Sequence, residues 1–152
     1  MIVGLRRCRA LLLAVFFCCI PVHSQSIFFE FQTHPDSPIA FVNYTPSTFR
    51  TGSDRRLDIT VTNESGKATA AVVFQQTVAE GSKIFIVTLE RISIVVKPRQ
   101  KKCMTVSVAD VWNRIQTAVR SGETIGKPVL SVVTVEFMDG ALWNAPLGRS
   151  QK

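Results

Sequence analysis

Few side chains in this sequence can do chemistry, and their spacing limits what they could do. His34 sits in a loop-forming stretch with Pro35 and Asp36 behind it. A His-centred triad needs a nucleophile held against the ring, and that loop offers no nucleophile elbow for a serine or for Cys103. The imidazole therefore reads as an exposed loop side chain. Beyond residue 24, His34 and Cys103 are the sole histidine and cysteine, too few ligands for a zinc site. Asp54, Asp58 and Glu64 follow no calcium-loop spacing and read as a solvated strand face. A glycoside-cleaving pair would have to come from Asp110, Glu123, Glu136 and Asp139, facing one another across a cleft. No Gly-rich phosphate loop occurs in the sequence. The expectation is a chain with no catalytic residue, no cofactor and no metal.

The residues left for contact chemistry are aromatic and basic. Phe28, Phe29 and Phe31, with Ile27, form a knot that reads as a first edge strand or an adhesive arm. Lys97, Arg99, Lys101 and Lys102 surround Pro98 in a turn between strands. Such a cluster is ordinarily solvated, and it could also touch anionic lipid, peptidoglycan or acidic polymer. These phenylalanines and cations are the candidate interaction residues. Cys103 reads as a small buried hydrophobe in a strand; the sharper alternative is a thiol that links two molecules, with Lys101 and Lys102 beside it. Asn43-Tyr44-Thr45 and Asn63-Glu64-Ser65 match glycosylation acceptors, which matter only in a eukaryotic source.

The amino terminus reads as an export signal. Arg6, Arg7 and Arg9 precede an apolar run over residues 10–20, then Pro21-Val22-His23-Ser24. The run falls short of the roughly 20 residues that span a bilayer, so cleavage before Gln25 is expected rather than an anchor. Three of the four cysteines, Cys8, Cys18 and Cys19, lie in this leader, so Cys103 can form no intrachain disulfide afterwards. Removing the leader also takes away three arginines and lowers the net charge from +7 to roughly +4, too mild and scattered for nucleic acid. A chain of 152 residues leaves one domain with a core held by burial alone.

The elements follow from period. Leu57, Ile59 and Val61 alternate with Asp58, Thr60 and Thr62; past Asn63-Glu64-Ser65-Gly66-Lys67, Ala70, Val72 and Phe74 alternate again. Asn63 and Ser65 can bond their own backbone, and Gly66 tolerates the positive φ expected to close this turn. Other strands are expected around this pair: 39–44, 83–96 with a break or bulge near Glu90-Arg91, 103–108, and 129–137. In the last, Val129, Val133, Val135 and Phe137 share one face and Leu130 and Val132 the other, as in a central strand. Residues 32–38 form a Pro-punctuated turn, and 45–54 and 79–82 connect further strands. Ser107 is expected to cap a helix over about 108–120, with Trp112, Ile115 and Val119 inward, Arg114 and Arg120 outward, and glycines ending it. At Asp139-Gly140 two hairpin registers compete, and burial of the Trp143 indole selects the bulged one, Val135 opposite Trp143.

At Val61-Thr62-Asn63-Glu64-Ser65-Gly66-Lys67 and across 135–143 the chain resembles uncharacterised exported bacterial proteins with an immunoglobulin-like sandwich. The likeness covers 39–146 and implies that fold and export, with no catalytic or ligand residue to carry over. It departs from antibody domains, having no cysteine pair and no tryptophan between two cysteines. The expected chain is mainly β: an immunoglobulin-like, two-sheet antiparallel sandwich of about seven strands with one short helix. Its parts are a signal peptide (1–24), an arm (25–38), the sandwich (39–147) and a tail (148–152). The expected role is a non-enzymatic interaction or structural module, periplasmic or extracellular, whose partner is another exported protein or an envelope component. A pilus-assembly chaperone or fimbrial-like subunit using strand donation is the alternative, and a small exported hydrolase comes third.

Overall fold

A computed structural model describes residues 28–45 and 55–146. The leader, Ile27, most of the 45–54 loop and the tail lie outside the described residues. Along the chain run β1 (Glu30–Gln32), β2 (Ile39–Thr45), β3 (Arg56–Asn63), β4 (Thr69–Glu80), β5 (Lys83–Ser93), β6 (Lys101–Ser107), α1 (Ala109–Arg120), β7 (Val129–Phe137) and β8 (Leu142–Asn144).

Alternation in β3 buries Leu57, Ile59 and Val61 completely and exposes Asp58. Each such burial contributes about 1.5–3 kcal/mol, which fixes the face this strand presents. β3 is the middle strand of a three-stranded antiparallel sheet, β2-β3-β6. The second sheet has five strands in the order β1-β7-β4-β5, with β8 also on β7. It is antiparallel except where β1 lies parallel to β7. Val72, Phe74, Val78, Leu130, Val132 and Val135 from this sheet meet Ile39, Ile59, Met104 and Val106 from the other in one core. The protein is thus mainly β with two facing sheets and one short helix; eight strands lie among the described residues.

The runs on either side of Asn63-Glu64-Ser65-Gly66-Lys67 do not pair. β3 and β4 belong to different sheets, so this turn is a crossing between layers. Its side-chain chemistry is as expected: Asn63 Oδ1 accepts the Ser65 N–H at 3.0 Å, and Ser65 Oγ accepts the Lys67 N–H at 3.2 Å. Gly66 is not among the positive-φ glycines, since these side-chain bonds turn the chain instead. Asn63 is fully buried, and its Nδ2 donates to Lys67 O and to Val96 O, both at 2.8 Å. Its own N–H donates to Gln100 O, and its carbonyl accepts the Arg99 N–H. One asparagine thereby joins the β3–β4 crossing to the β5–β6 crossing.

Three further differences arise from bulges and caps. β5 slips register at Val87, not near Glu90-Arg91. The charges there need no break: Arg91 pairs with Glu136, and Glu90 accepts the Ser107 N–H at 2.9 Å. β7 slips at Val133 opposite the Val73/Phe74 step, which reverses its alternation and puts Leu130, Val132 and Val135 all inward. β7 is central as expected, with β4 on one side and β1 and β8 on the other. Ser107 does not cap α1: it ends β6, its N–H donating to Glu90, and Val108 holds the cap position with no side-chain bond. Asp110 does lie in the first turn, near the positive end of the helix.

The buried face of α1 is rotated by one residue from the expected one. Val111 and Ala118 are buried and Ile115 packs partly, whereas Val119 is 57% exposed. Trp112 sits at the rim with the Arg55 guanidinium 4.3 Å over its ring, an arrangement open to an amphipathic indole. The helix ends as expected at Gly122, whose φ of 72° lets Glu123 N–H reach Ala118 O. In the last hairpin Val135 opposes Trp143, the bulged register, with Gly140 at φ 83°.

Candidate functional site

The pairing of β4, β5 and β7 dictates what the five-stranded sheet shows to solvent. Residues opposite one another in an antiparallel ladder share a face. Thr77, Val129 and Ile86 form one row, and Gln75, Ser131 and Leu89 the next. Val73, Thr134 and Arg91 make a third row. Along β5 this leaves Ile84 75%, Ile86 62% and Leu89 59% exposed on the same side. Three branched aliphatic side chains in a line on one strand are more than scattered surface leucines. β5 has β4 on one side and, among the described residues, no strand on the other.

Beside these aliphatics the face dips into an open groove of about 1020 Å³. Gln75, Ser131 and Thr134 give it polar atoms, and Val133 is thrown outward by its bulge. The far rim comes from β1 and β8, through Gln32, His34, Asn144 and Pro146. The Thr134 hydroxyl lies 2.9 Å from Asn144 Oδ1, tying rim to floor. His34 is half-buried against Trp143, with ring centroids 6.2 Å apart, and its Nδ1 accepts the Asp36 N–H at 3.3 Å. Among the described residues lining the groove, His34 is the one titratable side chain.

The aromatic and basic candidates are scattered by the fold. Phe29 is buried in the core, and Phe31 packs edge-on to Phe41 at 4.9 Å and beside Tyr44 at 4.3 Å. Of the three phenylalanines Phe28 is the exposed one, at 56%, and Phe31 is half-buried. Lys97, Arg99, Lys101 and Lys102 are all exposed at the β5–β6 crossing. Arg99 holds a φ of 63° there, the third position of a turn closed by Gln100 N–H to Lys97 O. Cys103 lies in a strand as expected but is exposed, not buried, because β6 turns Met104 and Val106 inward and Cys103 out. Asn63 is sealed in the core and unreachable for a glycan; Asn43 is exposed.

The carboxylates do not gather. Asp110 lies in the first turn of α1 and Glu123 beyond its last, toward opposite ends of a helix about 18 Å long. Glu136 takes two hydrogen bonds from Arg91, and Asp139 binds the Lys67 ammonium at 2.6 Å. Those cations hold both carboxyls below the usual range. Glu80 is lowered likewise by its ion pair with Arg114, whose guanidinium also stacks on Phe85. Glu90 alone is pushed up, chiefly by burial and secondarily by Asp110, against the Ser107 N–H. Among the described residues no three His, Cys, Asp or Glu side chains converge to hold a metal, and no helix is long and apolar enough to cross a membrane.

The β5 surface escaped sequence reasoning, although its signal was there: Ile84, Ile86 and Leu89 fall on one face only once the Val87 bulge is known. No protein-family model matches the chain, and neither the curated proteins nor the solved structures compared with it contain a match.

Proposed function

We propose that this protein is an exported, non-enzymatic interaction module of immunoglobulin-like type, working through the outer face and free edge of its five-stranded sheet. The type is supported by strand order: β2-β3-β6 follows the A-B-E order of such domains, and β5-β4-β7-β8 follows C′-C-F-G. Export is supported by the basic and apolar residues of 6–20. The single observation that carries the role is the exposed line Ile84, Ile86 and Leu89 beside an edge that, among the described residues, has no neighbouring strand. An apolar line next to unpaired backbone donors and acceptors is suited to another protein's strand or apolar face.

The experiment compares the chain with its Ile84→Ser/Ile86→Ser/Leu89→Ser variant as bait in the exported fraction. The proposal expects a defined partner retained by the first and lost by the second, with unchanged melting. An identical set of retained proteins would refute it. Strand donation, as in pilus-assembly chaperones and fimbrial subunits, draws on the same β5 edge and would show as a partner that brings its own strand.

A further inference from the structure

We propose that a second copy of this chain docks on β5, edge to edge and antiparallel, in one register: Lys83 of each copy opposite Glu90 of the partner subunit. The inference rests on the reading of β5 as the interaction surface and names its occupant.

A free edge invites pairing, and natural edges are usually blunted by bulges, lysines and inward charges. β5 carries all three: the Val87 bulge, Lys83 near one end and Glu90 on the inward side opposite Phe74. In most registers these features repel or misalign a neighbour. One register makes them complementary. A two-fold axis sets residues of a strand opposite others of the same strand at a constant sum of numbers, and opposed residues must share a face. Without a bulge that sum must be even. The slip at Val87 reverses the alternation partway along β5, so residues before and after it match when the sum is odd.

With the axis between Ile86 and Val87, Lys83 meets Glu90 and Phe85 meets Thr88 on the inward side. Ile84 meets Leu89 on the outward side. The exposed aliphatics of the two copies then merge across the axis into one covered patch. The neighbouring register of the same parity sets Arg91 against Ile84 and Glu90 against Phe85, burying charge against apolar surface. Of these two registers the first sets opposite charges together and apolar with apolar; at the axis the outward Ile86 lies opposite Val87, which packs against the core, so the two bulges meet there. Glu90 is also the carboxylate best served by an incoming cation, because burial and Asp110 both disfavour its charge.

Sedimentation velocity on the full chain, carrying Cys103→Ser so that no disulfide links copies, tests this from about 1 to 300 µM. A concentration-dependent dimer is expected. Lys83→Glu alone and Glu90→Lys alone should each weaken it about tenfold or more, since each sets like charges opposite twice. The Lys83→Glu/Glu90→Lys double variant should restore it to within about threefold. Ile86→Lys, beside the axis, should abolish it without lowering the melting temperature. A monomer throughout, a dimer indifferent to these changes, or a double variant that fails to recover would overturn the proposal. A monomer whose triple serine variant still loses its captured partner would leave the β5 surface standing and remove only the second copy. A monomer with capture unchanged would remove both.

Discussion

Asn63 is buried with both its side chain and its backbone engaged in hydrogen bonds. Its side chain binds carbonyls of both sheet crossings, and its backbone binds Gln100 and Arg99. Asn63→Ala should leave Val96 O and Lys67 O without that donor and cost about 2–4 kcal/mol in urea unfolding. A loss below about 0.5 kcal/mol would mean water replaces the amide freely. Glu90 sets a pH dependence of the opposite sense from its paired neighbours. Its folded pKa is raised, so the folded state holds the proton more tightly, and stability from this group falls as pH rises through that shifted range. Glu80, Glu136 and Asp139 are lowered, so their contribution is present at neutral pH and lost as pH falls. Glu90→Gln, measured as a monomer, should therefore be more stable than the parent at pH 7, with the gap closing toward pH 4. A constant gap would show that Glu90 acts through packing alone. At this scale the turn chemistry of Asn63 and Ser65 was legible, since short polar side chains bond locally wherever they sit. The exposure of Cys103 was not, because its neighbours fit either face of a strand.

Elements were legible in kind and less so in partner. Alternation revealed that 57–63 and 129–137 are strands, and indole burial selected the correct last hairpin. Alternation says which face is apolar, however, and nothing about which strand lies alongside. A side-chain-bonded turn serves a crossing between sheets as well as a hairpin, so β3 and β4 looked like neighbours. Bulges are hidden for a related reason: Val87 and Val133 are ordinary strand residues whose slip shows only against a partner. The helix face was misread because Trp112 is apolar by composition yet sits at the rim beneath Arg55. Val111→Ala should cost about 2 kcal/mol and Val119→Ala less than about 0.5, by thermal or urea unfolding. The reverse ranking would restore the face expected from sequence. At the amino end, Phe29→Ala should cost about 3–4 kcal/mol, since its ring is inside the core that β1 helps close. A melting temperature unchanged by that substitution would make β1 an ornament on a complete sandwich.

Among the described residues two sheets join without a disulfide, sealing one side of the larger sheet and leaving the other open. Closure comes from a continuous apolar core, from Asn63 at one pair of crossings, and from α1 packed on β4 and β5. What stays open is the outer face, with its groove of mixed polar and aliphatic lining and the aliphatic line of β5. We propose this face and edge as the place where the protein meets its partner, a second copy included. Hydrogen exchange across residues 83–93 is to be compared for the dilute chain and for the chain with its partner bound. The β5 amides facing away from β4 should slow markedly on binding, while the basic turn 97–102 exchanges as before. Slowing confined to the basic turn, or none along β5, would contradict the proposal.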